Sequence, residues 1–238
     1  AQMFQSIRDD LARTGARTLL LCSEVFSQYG TRQPALVGRM LEALGIADVS
    51  LYMTLRRPDL HLAAWFSQML KFGRRPRRLS EGGAADLYRT AHFDFERAVR
   101  PWADAVPRSK LFVHSYDAVM AAGGSEPHFT RTFGIDTVRF VPAGGPVNPS
   151  IPYALYDLIL HANRELPAPV ARSMQRALLA HRQRMTLPPN AEIELFGSAV
   201  RAEMTVRFAP MQTYLGGLVG RAGFFDDFEA MSDMRAVP

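Results

Sequence analysis

The stretch Val49-Ser50-Leu51-Tyr52-Met53-Thr54-Leu55-Arg56-Arg57-Pro58-Asp59-Leu60-His61-Leu62-Ala63-Ala64-Trp65-Phe66-Ser67-Gln68-Met69-Leu70 changes its hydrophobic period from two to about 3.6 halfway along. Its first part, Val49 to Leu55, alternates β-branched and aromatic residues and predicts a strand. Leu62, Trp65, Phe66, Met69 and Leu70 then fall at i, i+3, i+4, i+7 and i+8, the apolar stripe of an amphipathic helix. Two arginines and a proline mark the junction. Upstream, Pro34 to Leu44 predicts a helix, with Leu36, Met40, Leu41 and Leu44 on one face and Gly45 as its stop. Thr18 to Cys22 predicts a short buried strand, followed by the polar turn Ser23-Glu24 and a loop carrying Tyr29-Gly30. Strand, helix, strand implies a right-handed parallel βαβ unit. Met3 to Arg13 is an amphipathic helix through Phe4, Ile7 and Leu11, stopped by Gly15.

Downstream, Lys71 to Ala84 has no apolar period and is expected to be a mobile surface loop. Phe95, Val99, Trp102 and Val106 return to helical spacing, with Pro101 expected to kink or divide the element. Leu111 to Tyr116 predicts a third strand and Thr137 to Val141 a weaker fourth. Ile151, Leu155, Leu158, Ile159 and Ala162 share a helical face with Ser150 as N-cap. Further helices cover roughly Ala168 to Arg184 and Glu192 to Phe208. The expected class is α/β, three-layer, a short parallel sheet flanked by many helices in one domain spanning 1–238.

Composition excludes several classes. With 47% hydrophobic and 21% charged residues among 238, the chain is neither disordered nor fibrous. No apolar run approaches the roughly 20 residues of a bilayer span, and no signal-peptide pattern opens the chain. One cysteine, Cys22, forms no internal disulfide and is expected to pack as a small apolar residue, so a cytoplasmic location is expected. The 28 basic residues against 23 acidic ones give a net charge of +5, and all but Lys71 and Lys110 of the basic ones are arginine. Arginine's planar fork suits phosphate, sulfate and carboxylate, although a GC-rich genome produces the same ratio. Nothing resembles a nucleic-acid-reading module. The histidines at 61, 92, 114, 128, 161 and 181 have no metal-pair spacing, and His114, in a strand, is expected to be a satisfied core residue.

Ligands of open α/β sheets sit beyond the carboxyl ends of the strands. That rule selects Glu24 as a candidate general base and Arg56 or Arg57 as phosphate ligands beside a helix N-terminus. The plainer alternatives are that Glu24 caps a turn or pairs with an arginine, and that the arginines bridge to Asp59 or Glu42. The run Arg74 to Arg78 is either an anion contact or a solvated loop.

With both strand ends in view, the order of motifs resembles the bacterial sulfotransferase-like family. Leu20-Leu21-Cys22-Ser23-Glu24-Val25-Phe26 is similar to its strand ending in Ser-Glu. Leu55-Arg56-Arg57-Pro58 through Trp65-Phe66-Ser67-Gln68 is similar to its segment holding the donor's 3′-phosphate. Further likenesses are Phe95-Glu96 to Trp102-Ala103, Leu111 to Tyr116-Asp117, and Phe133-Gly134-Ile135-Asp136. After these come Asn148-Pro149-Ser150 leading to His161-Ala162-Asn163-Arg164, and Tyr214-Leu215-Gly216 with Gly223-Phe224-Phe225. The resemblance implies a P-loop NTPase-like sulfotransferase fold, 3′-phosphoadenosine 5′-phosphosulfate as co-substrate, no metal, and a hydroxyl acceptor such as a carbohydrate. It implies Glu24 as the base, Arg56 as the principal 3′-phosphate ligand and Arg57 as a secondary one.

Two departures stand against it. The family's opening strand and Gly-Lys-Thr phosphate loop have no counterpart, so the expectation is a domain lacking them. The serine usual eight residues after the first arginine is Ala64, which leaves Ser67, nearly a turn further on, as the nearest hydroxyl. Both departures motivate the alternative of a non-catalytic sulfotransferase-fold binding or scaffold protein. A nucleotide-sugar glycosyltransferase ranks lower, because no Asp-x-Asp motif follows a strand.

Overall fold

The computed structural model describes residues 2–23, 26, 28, 32–46, 48–90, 92–136 and 150–234. The predicted switch from strand to helix is present: β1 (Leu51–Leu55) runs through Arg56 and Arg57 into α3 (Pro58–Lys71), with Pro58 in the first turn. Before them lie α1 (Gln2–Thr14) and α2 (Ala35–Leu44), the latter ended by Gly45 at φ 63°. After α3 come a 3₁₀ turn (Leu79–Glu81), α4 (Gly83–Tyr88), α5 (Phe95–Ala105), β2 (Leu111–Ser115), α6 (Tyr116–Ala121) and α7 (Ser125–Phe133). The C-terminal part holds α8 (Tyr156–Glu165), α9 (Ala168–His181) and the long α10 (Ser198–Leu218). Among the described residues helix dominates, and the sheet is a short parallel pair.

That pair corrects the expected connectivity. β1 pairs with β2, from Leu51 opposite Leu111 to Leu55 opposite Ser115. The crossover is α3, α4 and α5, not α2. Thr18 to Cys22 forms no strand pairing among the described residues. Leu19 and Leu21 pack on a small cluster of Val37, Met40, Leu44 and Trp102 while Leu20 is 63% exposed, so the run is buried on one side only. Cys22 is exposed rather than packed. Thr137 to Val141, Asn148-Pro149, Tyr29-Gly30 and Glu24 lie outside the described residues.

Three further expectations are corrected. The Lys71 to Ala84 segment is anchored by buried Leu79 and Ala84, and α4 begins within it. Pro101 does not divide α5, since a proline in the second half of a short helix forfeits one internal hydrogen bond while Val99 and Trp102 stay buried. Ser150 is not an N-cap: a 3₁₀ turn at Tyr153–Leu155 intervenes before α8, and Leu158 faces outward. The helix expected from Glu192 starts later, at Ser198, because Glu194 bends back to accept the N–H groups of Phe196 and Gly197 at 2.8 and 3.0 Å.

Both faces of the pair are covered. Tyr52 and Phe112 meet Phe129 and Phe133 of α7 on one face, with ring centroids 5.2 to 6.1 Å apart. Leu55 and Val113 join the main core on the other, with Leu62, Phe66 and Leu70 of α3 and Met204, Phe208 and Leu215 of α10. The two halves of the last sequence motif also meet. A Cβ added to Gly216 would lie 2.8 Å from the Gly223 backbone, and Gln212 brackets Phe225 by accepting its N–H and donating to its carbonyl. Only hydrogen fits at that crossing.

Two buried arginines fasten the segment that follows. Arg57, 3% exposed, donates to both carboxylate oxygens of Asp59 at 2.7 and 3.0 Å, to the Asp227 carbonyl at 2.9 Å, and to the Asp227 carboxylate. Arg201 donates to Glu194 and, at 3.0 Å, to the Met231 carbonyl. Phe228 and Met231 sit buried between these ties.

Candidate strand-end anion site

Parallel strands end at the same edge, so the register of Leu55 with Ser115 brings the next residues, Arg56 and Tyr116, side by side. The Arg56 guanidinium lies 4.0 Å from the centre of the Tyr116 ring, a cation–π contact that aligns it without neutralising it. Arg56 is half-buried and makes no ion pair among the described residues. Its neighbour differs completely: the Arg57 donors are directed at Asp59 and Asp227, the salt bridge that was the plainer alternative for this pair.

Helix α3 adds His61 to the same edge. Its ring packs against Phe93 and Phe95, with centroids 4.8 and 5.6 Å away, and hydrogen-bonds the His92 backbone. Burial, then the Arg56 charge, then His92 push the His61 pKa down to about 4, so this imidazole is neutral at pH 7. His92 stacks on Trp65 at 3.9 Å, and burial together with the Arg32 charge pushes it down too. The Arg56 guanidinium, the Tyr116 ring and the neutral His61 imidazole therefore meet at the strand ends, with His92 bonded behind His61 and stacked on Trp65 further along α3. Such a set offers guanidinium donors suited to an anion at the strand ends.

Ser67 is not part of this group. It lies 11 residues beyond Arg56, about 16 Å along the helix, and is buried where its hydroxyl accepts the Ile151 N–H at 3.4 Å. It also bonds to Tyr156, whose phenol donates to the Ala63 carbonyl at 2.9 Å and is pushed up by burial. Glu24 lies outside the described residues. Periodicity pointed to neither His61 nor His92 as site residues, though the spacing of His61 one turn past Arg56 on α3 was the available signal.

His114 corrects a further expectation. It is half-buried on the α7 side of the sheet, 4.5 Å from the His128 ring, and its Nε2 has no hydrogen-bond partner among the described residues. His128 Nδ1 lies 2.9 Å from the Tyr52 hydroxyl. Among the described residues no group of three or more His, Cys, Asp or Glu could hold a metal, and no helix is long and apolar enough to cross a membrane. Compared with protein-family models, curated proteins and solved structures, the chain matches none.

Proposed function

We propose that the chain is a sulfotransferase-like enzyme that moves a sulfuryl group from 3′-phosphoadenosine 5′-phosphosulfate to a hydroxyl acceptor, with Arg56 as the 3′-phosphate ligand. The observation carrying this reading is Arg56 itself: a cation without an ion-pair partner among the described residues, stacked on Tyr116 at the carboxyl end of β1, next to the start of α3. In the reaction the acceptor oxygen bonds to sulfur, the bond between sulfur and the bridging phosphate oxygen breaks, and 3′-phosphoadenosine 5′-phosphate leaves. The acceptor proton passes to Glu24, a role that rests on the resemblance of residues 20–26. Carbohydrate is the acceptor class that the same resemblance favours. Catalysis of this type depends on positioning and on cationic stabilisation of the moving group.

Calorimetry with 3′-phosphoadenosine 5′-phosphate tests it. The expected result is saturable binding that Arg56→Ala weakens by roughly 10- to 150-fold, the loss of about 1.5 to 3 kcal/mol for a hydrogen bond to a charged group. No heat of binding at millimolar ligand, with folding intact, would overturn the assignment. One observation favours the second reading, a non-catalytic binding protein on the same fold: Ser67 is occupied in the core, so no serine hydroxyl of α3 shares the phosphate. On that reading the nucleotide binds, and Glu24→Gln leaves the biological activity intact. On the enzyme reading the same change abolishes turnover without altering the fold.

A further inference from the structure

The opposite end of α3 carries a feature that the strand-end site does not use. Helix α3 closes with the N–H of Phe72 on the Gln68 carbonyl, Gly73 at φ 70° on Leu70, and Arg74 on Met69 at 3.0 Å. The turn is then held from outside. Buried Asn163 of α8 donates to the carbonyls of Leu70 and Arg74 at 3.0 and 3.2 Å, and Arg164 donates to the Pro76 carbonyl at 2.8 Å. Spending a buried amide on two loop carbonyls keeps this turn in one shape.

In that shape Phe72 is 67% exposed, and Gly73, Arg74 and Arg75 are exposed with it. The arginines of the loop divide into two kinds. Arg77 is bound to Asp86, and Arg78 to Glu81 and Asp157. Arg74 and Arg75, the two beside Phe72, have no acidic partner among the described residues. Lys71 adds a further cation at the root of the turn. The result is an exposed turn, the tip of α3, that carries one aromatic side chain and two guanidinium groups with no acidic partner among the described residues.

We infer that this tip docks the protein on an anionic lipid surface, with Phe72 entering the acyl boundary and Arg74 and Arg75 binding lipid phosphate and carboxylate groups. Charge complementarity selects the partner, because a neutral bilayer would leave both guanidiniums without counter-charges and an uncharged partner would do the same. The single exposed aromatic of this tip selects a bilayer over a soluble polyanion. Phe72 makes no ring contact among the described residues, so no aromatic platform continues along which a polymer chain would lie, whereas a bilayer accepts one apolar wedge. Helix α3 is about 21 Å long by its 14 residues, which sets the docking tip and the strand ends at opposite ends of the same rod. Docking therefore leaves the strand ends uncovered, and the inference stands independently of the proposed activity.

The test is flotation of the full chain with vesicles of phosphatidylcholine alone and of phosphatidylcholine mixed with phosphatidylserine. Binding is expected only to the mixed vesicles and is expected to fall as salt is raised. Replacing Arg74 and Arg75 together with serine should weaken it about thirtyfold, near a factor of five for each surface cation. Phe72→Ser should weaken it by roughly tenfold or more, with thermal melts unchanged because all three side chains are exposed. Absence of binding to mixed vesicles overturns the inference. So does binding that Phe72→Ser leaves intact while the double arginine variant loses it, which marks a polyanion site that dextran sulfate would occupy equally well.

Discussion

Replacing Arg57 by alanine is expected to lower the unfolding free energy by about 3 to 5 kcal/mol, the range observed when one partner of a buried ion pair is removed. Asp59, 1% exposed, would be left as an uncompensated carboxylate in the first turn of α3, and its two hydrogen bonds from Arg57 would be lost together. Asp227 suffers less, since its carboxylate reaches solvent. The same substitution at Arg56, one residue earlier, should change stability by no more than about 0.5 kcal/mol, because among the described residues Arg56 has a ring contact with Tyr116 and no ion pair to lose. Urea melts of the two variants at pH 7 separate the roles. Equal midpoints for both would mean that the Arg57 network carries no folding energy. A double change of Arg57 to Met and Asp59 to Leu should recover most of the loss, as apolar residues of similar volume replace the buried pair.

The consequence extends past stability. Arg57 is bonded across 170 residues of sequence to Asp227, and Arg201 across 30 residues to Met231. Both ties end on the segment around Phe228, so that segment is fixed to the start of α3, beside the residues that flank the strand ends. Adjacent arginines thus divide two tasks: Arg57 assembles the edge, and Arg56 presents a charge at it.

The junction at Leu55 to Asp59 was legible because everything that defines it is local. Strand alternation, a proline suited to a first turn and an apolar stripe on α3 all lie within 22 residues of one another in sequence. The partner of β1 was not legible. The strand at Leu111 to Tyr116 was recognised, but its pairing across three helices competed with a nearer apolar run, Thr18 to Cys22, whose one-sided burial a five-residue window does not reveal. The candidate site divides in the same way. Position after a strand singled out Arg56 and Arg57 equally, and the backbone turn into α3, which directs Arg57 to Asp59 and to Asp227 far downstream, distinguishes the structural arginine from the presented one. Ser67 is the hydroxyl nearest Ala64 along α3, yet its helical phase turns it towards Ile151 and Tyr156 in the core. His61 and His92 were not legible because metal spacing is the pattern histidines leave in a sequence, whereas here their importance comes from burial beside cations.

That burial makes the protein acid-labile in a defined window. In the unfolded chain a histidine titrates near its ordinary value of about 6.5, while His61 in the fold titrates at about 4. Between those values the unfolded chain binds a proton that the folded one refuses, so stability rises with pH across the window. It is fully present above pH 6.5 and is lost as pH falls towards 4, by about 3 kcal/mol in all. Burial is the largest cause and Arg56 the second, so Arg56→Ala should diminish the loss without removing it, whereas His61→Gln should remove this component. Urea melts of wild type, Arg56→Ala and His61→Gln at pH 7, 6 and 5 resolve the contribution from carboxylates, which titrate mostly below that range. Parallel pH profiles for wild type and His61→Gln would refute the account. A bound phosphate group opposes the Arg56 contribution: its negative charge beside Arg56 favours the imidazolium, so binding should take up protons at His61 in the lower part of the same window, above pH 4. Calorimetry of 3′-phosphoadenosine 5′-phosphate near pH 5 in buffers of different ionisation enthalpy measures the uptake, and equal proton uptake by wild type and His61→Gln would show that the phosphate lies away from His61.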